Sequence, residues 1–157
     1  MLSGPEQKIL DDVEDYGWSA MSVAPRVESD DAKEWFTYTI GLPKSYSWPE
    51  IVCFGIDGQT AHGILTDAIA ECKERGARPH AAMLLHKTLG GQDALLADGS
   101  RIPDPYLGSA IWYARYAGLD GPPEKLQLLW PDENGRFPHD PACDPEVRQL
   151  QTPMGIV

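Results

Sequence analysis

Glu50, Asp132, Arg136 and His139 are the side chains of this sequence best suited, by type and neighbourhood, to chemistry. Glu50 stands directly before the apolar run Ile51-Val52-Cys53-Phe54-Gly55-Ile56. A carboxyl desolvated by such a core edge has a raised pKa and becomes a candidate general acid or base. The alternative is a structural carboxylate that pairs with Arg or Lys or caps a turn. Downstream, Trp130-Pro131-Asp132 and Arg136-Phe137-Pro138-His139-Asp140 set an aromatic ring, carboxylates, a guanidinium and an imidazole beyond an expected strand end. There Arg136 would hold an anion and His139 would be oriented by Asp132 or Asp140. Asp132 followed by Asn134 and Gly135 equally fits an ordinary Asx turn. Glu50, Asp132 and His139 are therefore candidates for acid-base work, and no catalytic residue is assigned.

Aromatic residues supply the candidate binding surface. In Trp35-Phe36-Thr37-Tyr38-Thr39-Ile40 the side chains alternate, so Tyr38 shares a face with Phe36 and Ile40. Its hydroxyl would meet either a ligand or a buried backbone group. Trp48 lies in the connection that follows, where the rim of a pocket is one place for it, and Trp130 and Arg136 complete the ligand-binding candidates. His62, His80, His86 and His139 do not cluster with Cys53, Cys72 or Cys143 at metal-ligand spacing, so no metal is expected. Neither a phosphate-binding glycine loop nor a nucleophile elbow occurs, and no cofactor is assigned.

The elements that must position these groups are legible from periodicity. Ser3 and Glu6 have capping-box spacing, and Ile9, Leu10, Val13 and Tyr16 follow a helical period up to Gly17. Trp18 to Val23 reads as a strand ending near Pro25, and residues 26–34 as a polar loop. Trp35–Ile40 and Ile51–Ile56 read as strands that pair, the second apolar throughout as a central strand would be. From Thr60 to Gly76 the apolar spacing predicts a helix, and Asp104, Pro105 and the stripe Leu107, Ala110, Ile111, Ala114 predict a third with Asp104 as its cap. Ala81–His86 is a further expected strand, a type I′ hairpin is expected at Asp98-Gly99, and Leu126–Trp130 reads as a late strand. The order predicts a single compact α+β domain over residues 1–157, a mainly antiparallel sheet with about three helices packed on it. Its ordered core is expected over roughly 5–140, with a polar C-terminal tail.

Length and charge narrow the function classes. A chain of 157 residues can bury one real core. Its formal net charge of -11 disfavours nonspecific binding to nucleic acid or an anionic membrane, both of which need a cationic surface. The acidic residues concentrated between Asp11 and Glu34 read as a solvated face. Three widely spaced cysteines without a CxxC pair point to a reducing cytoplasm, with Cys143 the most exposed of them. No leader or membrane span is expected.

The glycine-terminated strand Trp35–Pro43, Trp48-Pro49-Glu50 with its apolar run, Tyr16-Gly17-Trp18, and Leu129–Pro138 together resemble the bacterial DUF4262 family over most of residues 5–155. In that family's pattern the glycine turn, the Pro-Glu before the strand and a late Asp-x-x-Gly recur, here as Gly41, Pro49-Glu50 and Asp132 to Gly135. Many relatives carry Trp at the position of His139 and begin with a CxxC tail that this chain lacks, which weakens His139 as a shared catalytic residue. The resemblance implies no activity. The leading expectation is a cytoplasmic domain that binds a small molecule or a protein partner in an aromatic and acidic cleft lined by Tyr38, Trp48, Glu50, Trp130, Asp132, Arg136 and His139. The alternatives are a hydrolase or transferase using Glu50, Asp132 or His139, and an acidic interaction protein of a bacterial conflict or phage-related system. A homodimer is compatible with each.

Overall fold

The computed structural model describes residues 1–24 and 35–152. The polar loop expected over 26–34, and the acidic residues it contributes, lie outside the described residues. Helix α1 (Gly4–Tyr16) starts on the expected capping box, with the Ser3 hydroxyl accepting from the Glu6 amide and the Glu6 carboxylate accepting from the Ser3 amide. It stops at Gly17, whose φ of 91° is the left-handed conformation that glycine adopts without steric cost.

The first three strands follow as β1 (Ser19–Val23), β2 (Phe36–Ile40) and β3 (Glu50–Phe54). They run antiparallel, with Ser19 opposite Ile40 and Phe36 opposite Phe54; the pairing of β2 with β3 is the one expected, and β1 adds to the other edge of β2. The connection from β2 to β3 contains a short helix, α2 (Leu42–Tyr46). Helix α3 (Gly58–Arg75) is capped by the Asp57 carboxylate and closed by Gly76. Strands β4 (Leu84–Leu89), β5 (Gln92–Asp98) and β6 (Lys125–Leu129) complete one six-stranded sheet in the order β1-β2-β3-β6-β5-β4. Among the described residues only β3 and β6 run parallel, so the sheet is mainly antiparallel as expected.

Successive residues of a strand face opposite sides of a sheet, and both sides of β3 are covered. Ile51 and Cys53 pack under α3 with Ala61, Leu65, Ala68 and Cys72. Val52 and Phe54 pack with Ile9 and Val13 of α1, and with Ala110 and Tyr113 of α4 (Gly108–Tyr116). The domain is therefore a sheet between two helical layers, which is why β3 reads as continuously apolar.

Several local expectations are corrected. The hairpin forms between β4 and β5 through Gly90 and Gly91, and Leu84–Leu89 is the strand in place of Ala81–His86. At Asp98-Gly99 the chain instead leaves the sheet, with the Gly99 amide donating to the Lys125 carbonyl and the Ser100 amide to the Asp98 carboxylate. Asp104 does not cap a helix; it takes the Lys125 ammonium at 2.7 Å, and a single 3-10 turn, Asp104–Leu107, leads into α4. The segment expected as a polar tail contains α5 (Pro145–Leu150), and the Gln151 side chain behind it is fully buried. Its carboxamide both accepts from the Trp130 amide and donates to the Trp130 carbonyl, in the manner of a neighbouring strand.

Two of the three buried carboxylates among the described residues, Glu71 and Glu50, support this frame by accepting from backbone groups within the sheet and its first turn. Glu71, on α3, takes the amides of His86 and Lys87 at 2.8 and 2.6 Å, where the β4 register is irregular, together with the Arg75 guanidinium. Glu50 is 1% exposed. It takes the Gly41 amide and the Thr39 hydroxyl, each at 2.8 Å, and the Leu42 amide at 3.3 Å. Thr39 in turn accepts from the Ile51 amide. Gly41 has a φ of 100°, and a Cβ there would come within 2.8 Å of Val13, so the turn needs glycine for both its conformation and the close approach of α1.

Burial pushes the Glu50 pKa up to about 8, although the Gly41, Thr39 and Leu42 donors oppose the shift. The folded state thus binds this proton more tightly than the unfolded chain, so the contribution of Glu50 to stability is greatest at low pH. That contribution declines as pH rises from the ordinary value of 4.5 towards 8. Glu50→Gln is expected to cost about 1–3 kcal/mol at the acidic end of that window, because a protonated carboxyl keeps a lone pair on each oxygen while the Gln amide nitrogen has none to offer a backbone donor. The gap between the two proteins should narrow with rising pH. Chemical denaturation of both across the window checks the magnitude and the sign.

Candidate ligand-binding cleft

The seven residues expected to line one cleft are not brought together. Glu50 and Trp48 lie at the start of β3, whereas Trp130, Asp132, Arg136 and His139 follow the end of β6, which runs parallel to it with Glu50 opposite Lys125. The length of a five-residue strand, on the order of 13 Å, separates the two groups. Tyr38 is buried, and its hydroxyl accepts from the Ser109 amide in the first turn of α4. Glu50 is enclosed, and its charge lies near enough to Tyr113 to raise that phenol after burial has done so. Trp48 is half-buried against the α3 side of the core and packs on Tyr46, with ring centroids 4.8 Å apart. With Pro43, Pro49, Arg78 and Glu124 it borders a shallow hollow of about 170 Å³.

Beyond β6, Trp130 donates its indole N–H to the Phe54 carbonyl at 3.0 Å, which ties the ends of the parallel pair. Asp132 forms the Asx turn, accepting from the Asn134 and Arg136 amides at 2.9 Å, and its other oxygen accepts from the Asp144 amide at 3.0 Å. The Arg136 amide bond, opposed by burial and aided by the other donors, holds this carboxyl below its ordinary pKa. The Arg136 guanidinium is exposed and, among the described residues, reaches only the Ala142 carbonyl at 3.5 Å. His139 stacks on Phe137 with centroids 6.3 Å apart and makes no bond to Asp132 or Asp140 among the described residues. The guanidinium that organises this loop is Arg148, which donates to the carbonyls of Pro138 and Asp140 at 2.8 Å. Cys143, expected to be the exposed cysteine, is buried here; desolvation and then the Asp132 charge push its thiol pKa upward.

Aromatic and acidic groups do converge elsewhere, in a cleft of about 420 Å³ between α1, β1 and α3. Lys8, Asp12 and Tyr16 recur every fourth residue of α1 and so stand on one helical face. Trp18 and Ser19 enter from the start of β1, and His62 and Thr66, also four apart, from α3. Gly17 makes the junction possible: a Cβ on it would run into the Tyr46 hydroxyl, so the chain turns sharply from α1 to Trp18. The Trp18 and His62 rings stack with centroids 5.5 Å apart and planes 23° apart. Beside them Asp12 Oδ2 accepts from the Ser19 hydroxyl at 2.7 Å and the Lys8 ammonium at 2.6 Å. Desolvation alone would raise the Asp12 pKa, but these hydrogen bonds and the Lys8 and His62 charges outweigh it and lower the pKa.

This arrangement can hold a ring against Trp18 and a polar group against Asp12. In the sequence Tyr16-Gly17-Trp18 stands out through the family resemblance and His62 falls within the helix expected from Thr60 to Gly76, but nothing there connects the two. The usable signal was the pair of four-residue spacings on the two helices flanking that tripeptide. A second depression, of about 340 Å³, lies at the start of β6 among Arg78, His80, Asp98, Glu124 and Lys125. Its cations are engaged: Arg78 with the Ser47 carbonyl and Glu124, Lys125 with Asp104.

Among the described residues, no group of three or more His, Cys, Asp or Glu side chains is placed to hold a metal ion, and no helix is long and apolar enough to cross a membrane. Neither the curated proteins nor the solved structures hold a significant match to the chain. A family model described as a domain of unknown function does match, over residues 12–144, a span that takes in Asp12, Trp18 and His62 of the cleft as well as Gly41, Glu50 and the Asp132 turn. The protein belongs to the DUF4262 family.

Proposed function

We propose that this protein is a binding domain for a small molecule with an apolar ring, taken up in the cleft between α1, β1 and α3. The observation that carries the reading is the Trp18–His62 stack standing directly beside the Asp12, Ser19 and Lys8 hydrogen-bonded cluster. Small-molecule sites combine apolar and aromatic walls with a few convergent polar groups, and a volume of about 420 Å³ is within their range. The Trp18 ring is half-buried and held by the α3-side core, so its orientation is set before a ligand arrives.

The acid-base alternative has weaker support. The Glu50 and Asp132 carboxylates are both occupied by donors of their own chain, and His139 stands apart from either. A general acid or base needs a substrate proton within hydrogen-bond reach, and neither carboxylate offers a free oxygen to such a group. Cys53, Cys72 and Cys143 are unpaired and buried, which supports a reducing, cytoplasmic setting.

His62 is exposed, so His62→Ala should leave the fold intact while removing one ring of the stack. In a thermal-shift and NMR screen of ring-containing small molecules, hits are expected to perturb the Trp18 indole signal. The same hits should bind His62→Ala about 2- to 10-fold more weakly, the range expected for losing one aromatic contact. Hits that instead perturb Trp48 and the neighbourhood of Arg78, with no response at Trp18, would refute the assignment.

A further inference from the structure

The cleft already contains a tethered cation. Lys8 reaches along one turn of α1 to bring Nζ 2.6 Å from Asp12 Oδ2, although the Lys8 side chain is 74% exposed and that of Asp12 is 20% exposed. The two charges are not equally fixed. Asp12 is held from the protein side by the Ser19 hydroxyl, which belongs to a buried residue of β1, whereas Lys8 sits on a flexible stem in solvent. The fixed charge of the cleft is therefore negative. Exposed ion pairs of this kind are weak and readily exchanged. Next to the carboxylate stand the Trp18 ring and, at the rim, the exposed Tyr16 ring. The faces of such rings attract ammonium groups. At longer range, the net charge of -11 favours approach of cations over anions.

Resting on the reading of this cleft as the ligand site, we propose that its ligand is an organic cation, an ammonium compound whose charged head replaces the Lys8 ammonium on Asp12 while its apolar part lies against Trp18. Lys8 then acts as an internal competitor that occupies the site when no ligand is present. An anion would have to draw Lys8 away from Asp12 and then remain beside a carboxylate that cannot leave. An uncharged ligand would leave the Lys8–Asp12 pair in place and use only the aromatic wall. His62 lines the same cleft from α3, whereas the Lys8 position that the ligand head takes lies on α1.

The test is calorimetric titration of the full chain with 2-phenylethylammonium, the uncharged 2-phenylethanol and the anionic 3-phenylpropionate. The ammonium probe is expected to bind about 3- to 10-fold more tightly than either of the others, through its contact with Asp12 and the aromatic faces together. Lys8→Met, a change at an exposed side chain, should tighten ammonium binding about 2- to 5-fold by removing the competitor. Asp12→Asn should abolish the preference for the cation, with its melting temperature recorded to confirm folding. If the alcohol or the carboxylate binds as tightly as the ammonium and Lys8→Met changes nothing, the cation assignment is overturned while the cleft remains the ligand site. If none of the three probes binds or perturbs the Trp18 signal, both readings are overturned.

Discussion

The carboxylate of Glu50, enclosed at the start of the central strand, is the constraint on which much of the remaining structure depends. It collects the Gly41 and Leu42 amides and the Thr39 hydroxyl, so the end of β2, the start of α2 and the start of β3 meet at one side chain. Burying an ionisable group is costly unless its hydrogen-bonding capacity is used, and here it is used entirely within the chain. From this junction Leu42 enters the core under α3, and Gly41 receives Val13 of α1 on the opposite side. Both helical layers are thereby referenced to the same turn. The Gly41 turn and the Pro49-Glu50 pair, two of the features through which the sequence resembles the DUF4262 family, are the two ends of this hydrogen bond.

Glu71 and Asp132 repeat the pattern on other parts of the sheet. Glu71 satisfies consecutive amides where β4 departs from regular pairing, and Asp132 closes the loop after β6 by gathering three amides from it. Buried backbone N–H groups must find acceptors, and irregular strands and loops cannot find them in a ladder. Acidic side chains are an effective answer because hydrogen bonds to an ionised acceptor are stronger than neutral ones. Asp12 differs in kind: a side-chain hydroxyl and a mobile ammonium are its partners, and it borders a cleft. Carboxylates that brace the backbone and a carboxylate that can meet a ligand are thus distinguished by what donates to them.

Much of the frame was legible from residue patterns. The capping box of Ser3 and Glu6, the helical stripes of α1 and α3, and the pairing of Phe36–Ile40 with the apolar strand after Glu50 follow from local periodicity and are present as expected. Failures occurred where a local signal was outcompeted by a distant partner. Asp98-Gly99 has hairpin chemistry, but Gly99 pairs with Lys125 and the chain leaves the sheet there. Asp104 has capping chemistry, but Lys125 claims it. Gln151 lies in a stretch with no apolar periodicity, and its burial depends on Trp130, about twenty residues earlier, offering a free amide and carbonyl at the end of β6.

The candidate site shows the same division. Residue types alone raised Tyr38, Glu50, Asp132 and His139, because a phenol, two carboxylates and an imidazole near strand ends are chemically versatile wherever they stand. The sequence by itself determined the helices α1 and α3, the strands from β1 to β3, that β3 is central, and that the chain is acidic, since these depend on local spacing and composition. Which carboxylate is consumed by the backbone and which is left facing a cavity was decided only by the tertiary structure. It brought α1 and α3, some fifty residues apart, to either side of Trp18 and made neighbours of Asp12 and His62. Such meetings are set by how layers pack on a sheet; the four-residue spacings within each helix mark a face without saying what that face meets.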